Sequence, residues 1–422
     1  MPAMPARTAP EAPDPDLDRL VDLAARVRRA PGDFPRAVAL GKAAGIGSTP
    51  LRLLFLQHYH TTPAAFLERA RLDAVCRHLL SGRRRLLDLA REAGWVDAAT
   101  FQDRFRRATG LTPEAYRKLA KEREFVLTLP AGYQAGATLR YLGRDPESRA
   151  ERVQGTAFAK AVRLAGHPAL LTVEIGKGMA RCRLESPRSL PQDAGAAAHA
   201  AAVRLLGLQL DPGPFERQVR KSPGLAPLIA GRTGLRIPLS AEIFEGLVWA
   251  IVGQQVNLTF AATLRRRVSE LCGEPLGTIG GGAGGLLAPP SPEAVARLDP
   301  EDLAARQFSR RKAEYLIGTA QAIASGQLPL DRLPEEPATV VERRLLALRG
   351  LGPWTAQYVM LRACGFADCV PVGDSGLAAG LVRFFALDQR PGPEETRERL
   401  AVFAPYRSLA TAHLWASLGS AP

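Results

Sequence analysis

Cysteine is scarce in this chain and badly placed for chemistry. The five cysteines, Cys76, Cys182, Cys272, Cys364 and Cys369, are scattered over 422 residues. Their odd number argues against a disulfide framework and fits a reducing, cytoplasmic setting. No C-x-x-C pair is present, which argues against a zinc site, and no cysteine follows Cys369 to complete a four-cysteine iron–sulfur cluster. No apolar run reaches the ~18 residues of a membrane span, so no membrane partner is expected. Residues 1–16 are Pro- and Ala-rich and acidic; they lack the apolar core of a secretory leader and read as a disordered lead. The glycine run at 280–285 lacks the Lys-Ser/Thr of a phosphate loop and reads as a flexible insertion. A Pro-Cys-His-type motif is also missing, which sets aside methyl transfer to a reactive thiol.

What is abundant is positive charge and helical periodicity. A net charge of +14 and a pI near 10.1 favour a polyanionic partner. The length allows two or three domains, each able to bury a core. The most informative stretch is Leu345-Leu346-Ala347-Leu348-Arg349-Gly350-Leu351-Gly352-Pro353-Trp354-Thr355-Ala356-Gln357-Tyr358. It reads as an amphipathic helix, a tight Leu-x-Gly-x-Gly hairpin, and a second helix that accepts Pro353 where no amide hydrogen is needed. The amides at Gly350, Leu351 and Gly352 suit a phosphate oxygen. An isolated acid, Asp374, follows in Pro371-Val372-Gly373-Asp374; its plain structural reading is an N-cap for the helical run behind it.

Residues 17–120 contain an internal near-repeat. Leu40-Gly41-Lys42-Ala43-Ala44-Gly45 is echoed by Leu89-Ala90-Arg91-Glu92-Ala93-Gly94, and Thr62-Pro63 by Thr112-Pro113. Each copy predicts a short helix, a glycine turn and a longer helix, at 48–58 with Arg52 and at 98–108 with Gln102 and Arg106. That is helix-turn-helix logic, in which the second helix enters a DNA groove. The segment carries 19 basic and 10 acidic side chains, against 23 and 21 in residues 206–422. A solvated Arg-rich helical face is the plainer alternative. With Gly94-Trp95 followed by Phe101 and Phe105, the segment resembles the tandem helix-turn-helix domain of AraC-type activators, as fused in adaptive-response alkylation regulators.

After a Lys/Glu linker at 121–124, strand patterns at 125–129, 157–164 and 170–175 and a helix at 192–206 predict a small α+β domain over 125–205. From 206 to 422 the pattern is helical throughout. The hairpin, Trp354-Thr355-Ala356 and the later Asp374 resemble the helix-hairpin-helix glycosylase superfamily, most closely DNA-3-methyladenine glycosylase II. The resemblance implies a mainly α chain: the tandem helix-turn-helix domain, the small antiparallel-sheet domain, and an all-α helix-hairpin-helix glycosylase domain.

The resemblance further implies a monomeric, monofunctional enzyme that takes double-stranded DNA with alkylated bases. It would hydrolyse the N-glycosidic bond of purines of the 3-methyladenine and 7-methylguanine type, without metal or cofactor. Asp374 would be the catalytic carboxylate, and Trp354, Tyr358 and Trp415, with Tyr141 at the mouth, would form the base pocket. Gln254 and Gln255 fall where the family inserts a side chain into the emptied base stack. Members that also cut the backbone carry a lysine where this chain has Trp354, so no lyase activity is expected. The helix-turn-helix domain would read promoter DNA or serve as a tether. The rival reading is an AraC-type transcription regulator whose glycosylase half only senses lesions.

Overall fold

Alternation of burial decides where the chain forms a sheet. Along Glu124–Thr128 the side chains point out, in, out, in, out, which turns Phe125 and Leu127 inward. In this computed structural model, which describes residues 15–419 apart from 83, 278 and 280–284, that strand edges a five-stranded antiparallel sheet. Across the sheet follow Met179–Glu185, His167–Gly176, Ala157–Leu164 and Glu151–Gln154. The two strands at 151–154 and 179–185 add to the three that the sequence pattern marks. An Ala-rich helix, Ala194–Leu205, covers one face. Its first turn abuts the segment leading into the edge strand, where a Cβ on Gly195 would lie 2.2 Å from the carbonyl oxygen of Glu122. On the other face Ala161 and Leu170 pack against Leu276, Leu286 and Ala288, which brings the short Glu274–Pro275/Leu287–Ala288 ladder of the C-terminal region onto the sheet. The glycine run between those strands lies outside the described residues apart from Gly285.

The near-repeat is realised as two helix-turn-helix units with separate cores, one from Leu20 to Ala70 and one from Leu72 to Phe105. Ala37–Ala44 turns at Gly45 into Ser48–Tyr59, and Leu86–Glu92 turns into Ala98–Thr109. The repeated Thr-Pro pairs are helix starts. Thr62 and Thr112 each accept the amide three residues on at 3.2 Å, with proline in the first turn, opening Pro63–Ser81 and Pro113–Lys118. The first helix begins at Pro15, so Pro15 and Asp16 belong to it rather than to the disordered lead; residues 1–14 lie outside the described residues.

Two contacts remove any free linker between these units and the rest. Leu111 and Leu119 are buried in the sheet domain's core, and the His199 Nε2–H donates to the Thr109 carbonyl at 2.7 Å. The boundary drawn at 120–125 therefore cuts through one packed cluster. The first unit docks on the C-terminal domain: His58 Nδ1 and Thr339 Oγ1 share a 2.8 Å hydrogen bond, and the Asp368 amide donates to His60 Nδ1 at 3.2 Å. Arg28 adds a hydrogen bond to the Glu335 carbonyl.

The C-terminal domain is helical around one core running from Phe215 to Trp415. Its site-bearing helices are Ile243–Val252, Arg310–Ala324, Ala338–Leu346, Pro353–Val359, Ser375–Phe385 and Arg407–Ser417. Pro353–Val359 continues into a widened π turn, Met360–Cys364. No helix among the described residues is long and apolar enough to cross a membrane.

Candidate active site

Glycine is required in the hairpin for two separate reasons. Gly350 has φ +90°, and a Cβ there would lie 2.1 Å from the Tyr315 ring. Gly352 has ordinary extended geometry as the N-cap of Pro353–Val359, and nothing stands within 4 Å of where a Cβ would point. Leu351 between them is buried in the core, and its amide is used by the Leu348 carbonyl at 3.2 Å. That takes the Leu351 amide out of the expected set of phosphate donors and leaves those of Gly350, Gly352 and the first helical turn.

The loop after Ile243–Val252 is tied to this hairpin. The Gln254 amide donates to the Gly350 carbonyl at 2.9 Å and to Thr355 Oγ1 at 3.0 Å, so Gln254 turns inward and braces the hairpin. Gln255 is exposed, in the left-handed region at φ 55°. Lys312, 8 % exposed, donates to the carbonyls of Val252 and Gln254 at 2.8 and 3.1 Å, and burial holds its pKa below the ordinary lysine value. That clamp fixes the backbone on which Gln255 projects.

Asp374 caps Ser375–Phe385, with Oδ1 accepting the Leu377 amide at 2.7 Å. It does more than cap. The indole N–H groups of Trp415 and Trp354 donate to Oδ1 at 2.9 Å and to Oδ2 at 3.1 Å. A carboxylate offers about four acceptor positions. Three are taken, which leaves one on Oδ2 open.

The indoles that hold the carboxylate also open the aromatic set. Trp354 stacks on Tyr358 with centroids 5.2 Å apart at 28°, and Tyr358 meets Trp415 at 6.2 Å. The Trp249 indole N–H donates to the Tyr358 hydroxyl at 2.9 Å. Burial pushes the Tyr358 phenol up to about 12. Tyr141, on Ala135–Leu142 of the sheet domain, joins Tyr358 and Trp249 around a cavity of about 40 Å³, reached also by Arg144 and Arg362. Their guanidinium carbons lie 4.0 and 4.5 Å from the Tyr141 ring centroid. Burial alone would raise the Tyr141 phenol; the positive charge of Arg144, Arg362 and Arg265 outweighs it and holds the pKa below the usual value.

A buried ionic cluster closes the far wall and joins the sheet domain to the helical one. Lys160 bonds Glu151 at 2.6 Å and also Glu245, while Arg265 pairs with Glu151, with Asp145 at 3.6 Å and with Glu245 at 3.8 Å. Among the described residues, no group of three or more His, Cys, Asp or Glu is placed to hold a metal ion.

Trp249, Arg144 and Arg362 were not reached by sequence reasoning. Trp249 lies five residues before Gln254, near enough to have been suspected. Arg362 was signalled by its charge inside the otherwise apolar run from Tyr358 to Gly365. Arg52, Gln102 and Arg106 are all exposed, but on the helix-turn-helix units and away from Asp374's core. Ser48–Tyr59, which carries Arg52, packs its His58 side against Ala338–Leu346, whereas Ala98–Thr109 keeps Gln102, Arg104, Arg106 and Arg107 in solvent.

Residues 248–405 match the HhH-GPD superfamily of base excision DNA repair proteins, and residues 40–119 match a helix-turn-helix domain family. A DNA-3-methyladenine glycosylase of Bacillus subtilis is 30% identical over 292 residues, 69% of this chain and 95% of the relative. DNA-3-methyladenine glycosylase 2 of Escherichia coli is 33% identical over 52% of this chain and 71% of its own length. A probable bifunctional transcriptional activator/DNA repair enzyme of Mycobacterium tuberculosis is 28% identical over 96% of this chain and 82% of its own. Among solved structures, the 3-methyladenine DNA-glycosylase from Archaeoglobus fulgidus superposes with a TM-score of 0.60 at 21% identity, covering 69% of this chain and 97% of that one.

Proposed function

Since the chain belongs to the DNA-3-methyladenine glycosylases of the HhH-GPD superfamily and carries an added AraC-type helix-turn-helix domain, we propose that Asp374 drives hydrolysis of the N-glycosidic bond of alkylated purines of the 3-methyladenine and 7-methylguanine type. The observation that carries this reading is the Asp374 carboxylate held by three N–H donors, two of them indoles of the aromatic set.

A base inside a duplex must be rotated out before its sugar bond can be reached. The hairpin donors hold the backbone, Gln255 fills the gap, and the aromatic set receives the base. Electron-rich rings attract a cationic alkylated purine. As the bond to the base breaks, positive charge builds on the sugar, and a fixed carboxylate stabilises it without reorganising. The open Oδ2 position receives the attacking water and its proton. A cationic base leaves without protonation, so no second acid is needed.

The enzyme is proposed to be monofunctional. Trp354 stands where a Schiff-base lysine would be needed, and the two buried lysines near the site are committed, Lys160 to carboxylates and Lys312 to carbonyls. The protein is proposed to act as a monomer, with both helix-turn-helix units of the tandem domain in one chain. Of the two recognition helices, Ser48–Tyr59 packs on Ala338–Leu346 while Ala98–Thr109 turns Arg104, Arg106 and Arg107 to solvent, so the second unit is the proposed promoter reader or tether. Base release from methylated duplex DNA by wild type and Asp374→Asn tests the reading.

A further inference from the structure

Resting on the base-excision reading above, we propose that Lys312 is a positioning residue for strand penetration: it holds the Gln254–Gln255 peptide in the orientation from which the Gln255 side chain fills the space that an extruded base leaves. The loop concerned, residues 253–257, joins Ile243–Val252 to Leu258–Cys272. Gly253 and Asn257 at its ends have ordinary φ values of −76° and −73°. Gln255 between them stands at φ 55°. The left-handed turn thus falls on a residue with a side chain, although a glycine lies two positions earlier. Such a conformation persists only where the surroundings over-determine it.

The surroundings here do so through Lys312. The φ angle of Gln255 is the rotation between its Cα and the preceding peptide plane, and the oxygen of that plane is the Gln254 carbonyl. Lys312 Nζ donates to it at 3.1 Å and to the Val252 carbonyl at 2.8 Å. The Gln254 backbone N–H donates to the Ile251 carbonyl at 3.3 Å, and its side-chain amide reaches Gly350 and Thr355. On the far side Asn257 Oδ1 accepts the Phe260 amide at 2.8 Å. Both ends of the loop are pinned, and only Gln255 projects. Lys312 is 8 % exposed, and no carboxylate pairs with it among the described residues. Burying an ammonium is costly, and methionine would fill the same space without that cost. Its charge instead faces the carbonyls at a helix C-terminus, where a cation is favoured.

The helix that carries Lys312 also reaches the hairpin. In the first two turns of Arg310–Ala324, Glu314 pairs with Arg349 at 3.3 Å, and the Tyr315 ring closes on Gly350. One helix therefore sets the loop of Gln255 and the hairpin at a fixed spacing before DNA arrives. A side chain already aimed loses less freedom on insertion than one that must be ordered at that moment.

The test uses the full-length protein and two duplexes. One carries 7-methyl-2′-fluoro-2′-deoxyguanosine, whose sugar bond resists hydrolysis, beside 2-aminopurine; the rate of the fluorescence rise reads penetration of the stack without base release. The other carries 7-methylguanine and reads single-turnover base release. Lys312→Met should slow both rates at least fivefold, and Lys312→Arg, which can donate to both carbonyls, should stay within threefold of wild type. In a Gln255→Ala background Lys312→Met should add less than twofold, because Lys312 acts through that side chain. A smaller loss in Lys312→Met, a fivefold loss that recurs in the Gln255→Ala background, or a Gln255→Ala variant at the wild-type rate overturns the assignment. Should Lys312→Met not fold, as judged by circular dichroism, the Cα and Cβ carbon shifts of Gln255 in free wild-type protein decide: left-handed values support the preset loop, and extended or right-handed values overturn it. A fluorescence rise without release of 7-methylguanine by wild type overturns the excision reading alone.

Discussion

The indole Nε1–H of Trp354 donates to Oδ2 of Asp374 across 3.1 Å, although twenty residues separate them in the chain. The hydrogen bond ties the first turn of the hairpin's second helix to the N-cap of Ser375–Phe385. On the proposed reading, DNA held at the hairpin amides would thereby be set in register with the carboxylate.

Asp374→Asn should separate capping from chemistry. Asparagine caps a helix about as well as aspartate, but its NH2 must face an N–H that the carboxylate now accepts, so stability should fall by ~1–3 kcal/mol. Base release should fall by two to three decades, since losing a principal electrostatic stabiliser costs ~3–4 kcal/mol. Single-turnover rates beside thermal melts check both, and a rate within threefold of wild type would end the assignment of Asp374.

No strand cleavage by β-elimination should accompany base release. Borohydride added to the enzyme on abasic DNA should trap no covalent adduct. A trapped adduct mapping to Lys160 or Lys312 would mean that one of these amines leaves its partners during turnover, contrary to the monofunctional reading.

The two hairpin glycines should respond differently to alanine. Gly350→Ala places a methyl against the Tyr315 ring at a positive φ and should destabilise the fold by ~1–3 kcal/mol. Gly352→Ala meets no atom within 4 Å and should leave the melting temperature almost unchanged. Its added methyl would still stand where DNA approaches the exposed donors, so affinity for abasic-site duplex should drop. Unchanged affinity in Gly352→Ala would remove the phosphate from the hairpin.

Acid should weaken the seam between the second helix-turn-helix unit and the sheet domain. Burial lowers the pKa of His199 from 6.5 to about 4. The unfolded chain then binds the proton more tightly than the folded one. The contribution of neutral His199 is present above pH 6.5 and is lost as the pH falls through about 4. By that pH the loss amounts to roughly 3 kcal/mol. A ring-proton titration of His199 by nuclear magnetic resonance in the folded protein should show a midpoint well below 5.5; a midpoint near 6.5 would contradict it.

Arg104, Arg106 and Arg107 should supply salt-dependent affinity apart from catalysis. Their partners are half-exposed acids, Glu68 for Arg104 and Asp103 for the other two. Such pairs are worth little and yield readily to phosphate. Replacing all three with alanine should flatten the slope of log K against log salt by roughly 0.9 for each phosphate that is no longer neutralised. Base release at saturating enzyme should stay within twofold. Deleting residues 1–120 would be a poorer test, because Leu111 and Leu119 belong to the sheet domain's core.

Much of this architecture is legible in the chain. Thr-Pro pairs announce helix starts because threonine caps and proline needs no donor, and the repeat announces two helix-turn-helix units. The hairpin can be read because only glycine tolerates the backbone at Gly350. Other features are not legible. Strand 151–154 opens on the adjacent charges Glu151-Arg152, and strand 179–185 turns only the small Ala180 and Cys182 and one large apolar residue, Leu184, inward; pairing with neighbouring strands, more than their own hydrophobicity, makes them strands. Gln254 and Gln255 are identical in sequence; the backbone at Gln255, turned left-handed, sends one side chain into the hairpin and the other into solvent.

By itself the sequence determined the order of domains, the helix starts, the hairpin and the spacing of Trp354 from Asp374, because these depend on local backbone preference and on residues near one another in the chain. The tertiary structure alone decided how the pieces meet. It brought Trp415 onto Asp374 from forty-one residues away, seated the first helix-turn-helix unit on Ala338–Leu346, and set the Lys312 amine on the carbonyls of Val252 and Gln254. Such contacts are set by how whole helices pack, and packing depends on the summed shape and burial of surfaces that no short stretch of residues encodes.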